Sequence, residues 1–181
     1  MKAFQRPFPM DIRATITIVN QLQAEGLIGT YAVGGAVAAA FYIEAAATID
    51  VDVFIGLAPS PGSTLITLTP IYDYLKARGC REEGEYIVVA GWPVQFLLPS
   101  SPLVDEALLH AVEKDSDGLK VRVFTAEYLA AIALELGRPK DKYRLTQFLE
   151  ANVLNEPVFS SILERHKLTD KWTRFKRQMS G

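Results

Sequence analysis

Near the start of the chain apolar residues recur at spacings of three and four: Ile12, Ile16, Val19 and Leu22. That period predicts an amphipathic helix over residues 11–23, capped by Asp11 and stopped by Gly26. Residues 30–33 read as a short strand, Gly34 and Gly35 as a turn, and the alanine-rich run 36–43 as a buried helix. Over 49–55 the period drops to two. Val51, Val53 and Ile55 alternate with Asp50, Asp52 and Phe54, which predicts a strand. Pro59, Pro61 and Gly62 punctuate a loop at 58–63. Thr69-Pro70 resembles a cap followed by proline, so a helix is expected to Arg78, ending at Gly79. Two β-rich runs, 85–90 and 93–98, flank Gly91-Trp92 and predict a hairpin. Residues 102–112 read as helix, 115–118 as a turn and 119–124 as a strand. From Thr125, a natural N-cap, the rest reads as helix: 125–136, 140–152, 157–167 and 170–178.

A mixed run of strands and helices followed by helices alone predicts an α+β fold: a mixed β-sheet with helices packed on it, then a helical lobe. The division expected is a core over 1–124 and a C-terminal helical lobe over 125–181 that packs on it. A chain of 181 residues is long enough to bury roughly 70% of its unfolded surface. Its net charge of −2 does not recruit nucleic acid in bulk, so any polyanion site must be a local patch. The apolar run 31–43 is short of the roughly twenty residues a membrane span needs. No stretch at the start has signal-peptide character. A soluble, cytoplasmic protein without membrane partners is expected. A single cysteine, Cys80, and two distant histidines, His110 and His166, argue against a disulfide or a Cys/His zinc site. Oxygen ligands, and hence Mg²⁺ or Mn²⁺, are the expected metal chemistry.

The strongest chemical signal is Gly34-Gly35 followed by Thr48-Ile49-Asp50-Val51-Asp52-Val53. Residues two apart on a strand share a face, so Asp50 and Asp52 point the same way, roughly 6.5–7 Å apart at Cα. Two carboxylates so placed repel each other, and a divalent cation between them removes the penalty. Glycines let backbone approach a ligand closely, and the helix after them offers free N–H groups and a positive dipole end. A phosphate seat facing a metal cradle describes a site for a nucleoside triphosphate.

This arrangement resembles the signature of nucleotidyltransferases of the DNA polymerase beta superfamily. Thr125-Ala-Glu-Tyr-Leu and Leu136-Gly137-Arg138-Pro139-Lys140-Asp141 resemble the AbiEii-like and related minimal nucleotidyltransferases of bacteria and archaea. The resemblance runs from Tyr31 to about Leu149. It implies that Asp50 and Asp52 ligate Mg²⁺ (or Mn²⁺) and that Gly34, Gly35 and Thr48 line the nucleotide site. Lys140, with Arg138 and Asp141 beside it, would stabilise the triphosphate donor. The implied activity moves a nucleoside monophosphate from an NTP to an acceptor hydroxyl of a protein, an RNA end or a small molecule. AbiEii-like proteins further suggest a toxin–antitoxin or phage-defence pair with a small protein partner. Two positions depart from the pattern. Gln95 stands where the third catalytic carboxylate is expected, and Ala46 where many relatives have arginine. Both remove charge, so a catalytically degenerate nucleotide- or partner-binding module is the alternative. Glu85 and Asp105 are the acids that might stand in.

Each feature also has a plainer reading. Asp50 and Asp52 could be solvated strand residues, although aspartate is a poor strand former. Gly34-Gly35 could be only a tight turn, and Gln95 only a hairpin residue. Pro139 and Asp141 are ordinary helix-start chemistry. Glu44 reads as an exposed helix end. The basic residues Arg165, Lys167, Lys171, Arg174, Lys176 and Arg177 interleave with Trp172 and Phe175, a pattern seen in RNA binding but also on an amphipathic helix.

Overall fold

The computed structural model describes residues 12–44, 47–56 and 67–179. Asp11 as a cap, Ala46 and the loop at 58–63 lie outside the described residues. In chain order the elements are α1 (Ile12–Ala24), β1 (Tyr31–Val33), α2 (Gly35–Ala39), β2 (Val51–Ile55), α3 (Thr69–Lys76), β3 (Arg81–Glu83), β4 (Tyr86–Val89), β5 (Trp92–Leu97), α4 (Pro102–Leu109), β6 (Val112–Ser116), β7 (Leu119–Val123), α5 (Ala126–Leu136), α6 (Pro139–Glu150), α7 (Glu156–Arg165) and α8 (Thr169–Met179). No helix among the described residues is long and apolar enough to cross a membrane.

The strands form one mixed sheet in the order β3-β4-β5-β2-β1-β7-β6. β2 pairs parallel with β5 and antiparallel with β1, and β1 pairs parallel with β7. This is the α+β architecture that the sequence predicts. Alternation sorts each central strand into two faces. Val51, Val53 and Ile55 of β2, with Trp92, Val94 and Phe96 of β5, are buried on one face. α1 covers part of this face. Its Ile16, Val19 and Leu22 are buried, and buried Thr15 donates its hydroxyl to the Val89 carbonyl at 2.9 Å. Asp52 and Phe54 of β2 and Gln95 and Leu97 of β5 point the other way and are half-buried. That second face carries the polar residues of interest.

Several elements differ from their sequence reading. The sheet has two strands, β3 and β6, that patterning did not reveal. They are its two edges. Arg81-Glu82-Glu83 is fully exposed, and β6 reads Val-Glu-Lys-Asp-Ser. Charged edge strands discourage pairing with other chains, and the same charges hide them from a search for apolar alternation. The helix expected over 102–112 therefore ends at Leu109, and the turn after β6 is Asp117-Gly118. In the β4–β5 hairpin the turn is Ala90-Gly91 rather than Gly91-Trp92. Both its residues have positive φ (50° and 86°), as a type I′ turn requires, so Trp92 opens β5. Helix α2 covers only five residues, and 40–43 leave it in turns. Leu68 rather than Thr69 holds the N-cap position of α3, where Thr67 Oγ1 accepts from the Thr69 N–H at 3.2 Å. Thr125 does occupy the N-cap position of α5, but its side chain makes no capping bond.

α5 is the hub of the helices. It touches α2 and α4 on one side and α6, α7 and α8 on the other. One continuous hydrophobic cluster runs from the sheet through Leu129 and Leu134 to Phe148, Phe159, Ile162 and Phe175. A polar knot reinforces this packing. Glu106 of α4 accepts hydrogen bonds from Tyr128 Oη (2.8 Å), Arg165 Nε (3.1 Å) and His166 Nε2 (2.6 Å), and from Arg165 Nη2. The Arg165 bonds, outweighing the cost of burial, hold its carboxyl down at about 2, with Tyr128 and His166 adding to the effect. A carboxylate held below its unfolded value of 4.5 stabilises the fold fully above that value and loses the contribution as pH falls through about 2. Glu106→Gln is therefore expected to cost about 1–3 kcal/mol at neutral pH. Urea melts of the two proteins should differ most above pH 4.5 and converge as pH falls from there to about 2.

Candidate active site

The candidate site is built where β1 ends and β2 begins. Glycine is required at position 35 for two reasons. Its φ is +57°, and a Cβ there would lie 2.2 Å from Asp52 Oδ2. Gly34 is constrained differently: a Cβ there would meet the Phe54 ring at 2.5 Å and the Phe124 ring at 3.3 Å. The Gly34 N–H donates to the Asp52 carbonyl at 2.9 Å, which locks the turn to the strand. Gly35 thus lets the backbone lie directly against the Asp52 carboxylate, and Gly34 lets it pass the Phe54 and Phe124 rings. Gly34 is the N-cap of α2, so the first N–H groups of that helix lack intrahelical partners. With five residues, α2 has a smaller dipole than the eight-residue helix expected from the sequence.

Asp50 precedes the first residue of β2, and its two oxygens are held separately. Thr48 Oγ1 donates to Oδ1 at 3.1 Å, and Tyr86 Oη donates to Oδ2 at 3.3 Å. Asp52 is the electrostatically costly member of the pair. Burial, then the nearby Asp50, push its carboxyl up, while Lys140, Arg144 and Arg138 pull it down. The first two prevail, so the charged form of Asp52 is disfavoured relative to that of a solvated carboxylate.

Register settles the position of Gln95. Asp52 pairs with Gln95 across the parallel β2–β5 ladder, so their side chains stand on the same face. Gln95 Nε2 donates to Glu85 Oε2 at 3.2 Å. Among the described residues no three His, Cys, Asp or Glu side chains gather closely enough to hold a metal ion. Asp105 lies exposed in the first turn of α4. Glu44 is exposed at the end of the turn after α2.

The run after α5 has a clear structural rationale. Gly137 takes the left-handed C-cap of α5 at φ +66°, where glycine is favoured. Pro139 starts α6, and the Asp141 carboxylate accepts from the Arg138 backbone N–H at 3.3 Å, capping the helix start. Asp141 is 1% exposed and accepts from Arg138 Nε at 2.6 Å and Nη2 at 3.2 Å. Its carboxylate is therefore occupied by Arg138 and does not face outward for a ligand. The capping chemistry does not require Lys140. Arg144, four residues on and so on the same side of α6, joins it in the field of Asp52. Burial lowers the Arg144 guanidinium below its usual value. Arg144 did not stand out in the sequence, although its spacing from Lys140 was the available signal. Of the basic residues of the C-terminal segment, Lys171 donates to the Glu135 carbonyl and packs beside Gly137. Phe175 is buried and Trp172 half-buried, with rings 5.8 Å apart, and Trp172 meets Phe159 edge-on at 5.3 Å. These aromatics are core residues of an amphipathic helix.

The fold is that of the nucleotidyltransferases. The chain is similar to a solved structure of an antigenic nucleotidyltransferase-like protein from Paracoccidioides brasiliensis, with a TM-score of 0.58 at 14% identity over 92% of each chain. The antibiotic-resistance factor ANT(2'')-Ia aligns over 92% of this chain and 97% of its own, at 14% identity and a TM-score of 0.48. No family model matches the chain, and no curated protein does.

Because the charged form of Asp52 is disfavoured, Asp52→Asn is expected to raise the melting temperature of the protein without added divalent cation. Gly35→Ala is expected to lower it, by about 1–3 kcal/mol of stability, through the left-handed φ and the collision with Asp52. Calorimetric scans of the two variants beside wild type check both signs.

Proposed function

We propose that the protein transfers a nucleoside monophosphate from an NTP to an acceptor hydroxyl, with a divalent metal at Asp50 and Asp52. The observation that carries this reading is the placement of Asp52. Its carboxylate lies against Gly35, beside Asp50, with the cations of α6 in its field. A fold alone does not assign an activity, but a buried carboxylate beside a second one is a place where a cation is favoured. The donor set suits Mg²⁺, which is commonly held by one or two carboxylates plus substrate phosphates and waters. When bound, such a metal neutralises charge on the attacking and leaving oxygens.

The chain's own residues would do the rest. Thr48 and Tyr86 fix the Asp50 carboxylate. Gly34 and Gly35 keep the β1–α2 turn free of side chains beside Asp52, where a metal-held phosphate would meet main-chain N–H groups. Lys140 and Arg144 meet the triphosphate charge from α6, and Arg138 stays tied to Asp141. The acceptor oxygen bonds to the α-phosphorus as its proton passes to solvent, the bond from that phosphorus to the bridging oxygen breaks, and pyrophosphate leaves. Positioning and charge neutralisation supply most of the catalysis in this chemistry.

The register of Gln95 with Asp52 favours a second reading: the same site binds nucleotide without turning it over. An amide there cannot accept the acceptor proton as a carboxylate does. A role in a toxin–antitoxin or phage-defence pair, in the cytoplasm, rests on the AbiEii-like resemblance. A small transcription-factor-like gene next to this one would support it.

Titration calorimetry with ATP, GTP, CTP and UTP tests the proposal. Mg²⁺-dependent binding of at least one nucleotide is expected. Asp50→Ala/Asp52→Ala should abolish it, and Arg144→Ala should weaken it roughly tenfold, about 1.4 kcal/mol. Absence of binding by wild type to all four would overturn both readings. Pyrophosphate release in the presence of an acceptor separates the first from the second.

A further inference from the structure

We propose that Glu85 is a positioning residue: it holds the Gln95 amide so that the Gln95 carbonyl oxygen faces Asp52 as a third, neutral metal ligand. This rests on the reading of Asp50 and Asp52 as a metal site.

The topology supplies the first step. β5 lies between β4 and β2. Gln95 pairs with Asp52 on the β2 side. On the β4 side the register pairs Ile87 with Val94, and one step further Tyr86 stands across from Gln95. Asp52, Gln95 and Tyr86 therefore form a row on one face of the sheet. Tyr86 reaches back over that row to Asp50. Glu85 stands at the end of the row, in the two-residue turn Gly84-Glu85 between β3 and β4. Gly84 has a φ of +65°, as a hairpin turn of this length requires, so the turn gives Glu85 a fixed base.

Hydrogen-bond chemistry supplies the second step. An ionised carboxylate only accepts, so the Gln95 group that meets Glu85 must be the NH₂. This assignment follows from the partner and does not depend on telling amide nitrogen from oxygen. With its NH₂ turned toward β4, the amide turns its oxygen toward β2 and Asp52. A glutamine free to rotate would present its NH₂ there half the time and repel a cation. Glu85 also polarises the amide, making the oxygen a better donor. A partner carboxylate behind a metal ligand commonly does this, and losing it costs about 10–100-fold in metal affinity. Glu85 itself need not reach the metal, in keeping with the absence of a three-acid cluster among the described residues.

The test is Mn²⁺ binding to the nucleotide-free protein, read by electron paramagnetic resonance of the free ion, with melting temperatures alongside. Glu85→Gln and Gln95→Ala are each expected to weaken binding roughly tenfold with little change in melting temperature. In the Gln95→Ala background, Glu85→Gln should add no further loss, because Glu85 acts through the amide. Glu83→Gln, which removes a neighbouring charge from β3, should leave binding unchanged. Gln95→Glu combined with Glu85→Gln should bind at least as well as wild type, since it puts a carboxylate where the amide was. Wild-type affinity in Glu85→Gln, or losses that add in full in the double variant, would overturn the inference. Failure of the underlying reading looks different: wild type would not bind Mn²⁺, or Asp52→Asn would bind it equally well.

Discussion

The site is organised around a carboxylate pressed against a glycine. Asp52 projects from β2 into the space that a side chain at position 35 would fill. Position 35 must be glycine both for its backbone angle and for this contact. The contact removes water from Asp52, and Asp50 adds like charge, so the native protein carries an electrostatic cost at this point. The surroundings reduce that cost without cancelling it. Two hydroxyls hold Asp50, and α6 brings three cations into the field of Asp52. A carboxylate perturbed by burial and by a like charge is a common mark of a functional site.

The sheet makes this tolerable by giving its two faces different work. On one face β2 and β5 are apolar and buried, and they bind the sheet to the core. That leaves the other face free to carry Asp52 and Gln95 without removing an apolar contact. A slip of one residue in β2 would exchange the faces, so the buried valines at 51 and 53 also fix the direction of the aspartates. The parallel pairing of β2 with β5 then decides which residue neighbours Asp52. This pairing joins positions 52 and 95, which are far apart in sequence, and neither local period predicts it.

Much of this was legible in the sequence because local physics and the fold agree. The alternation in β2, the Gly-Gly turn and the helix-rich C-terminal segment all have short-range signatures. The two edge strands did not, because exposed strands need charge rather than apolar alternation. The pairing of Gln95 with Asp52 was hidden for another reason: it arises from the parallel β2–β5 strand order, which no local window contains. Arg144 was missed because it lies inside a helix whose start drew attention to Arg138 and Asp141.

That helix start shows how structural and functional roles can be separated. Gly137 is accounted for by a left-handed cap, Pro139 by the first turn, and Arg138 with Asp141 by the cap at the helix start. Once these are set aside, Lys140 and Arg144 remain as cations of α6 in the field of Asp52, Arg144 standing also in that of Asp141. The same subtraction applies to the sheet. Its buried face is explained by packing, and its half-exposed face keeps an aspartate and a glutamine where β-branched residues would be more stable. Departures from local preference are expected where function outweighs stability. Here they fall on elements distant in sequence and converge on one carboxylate.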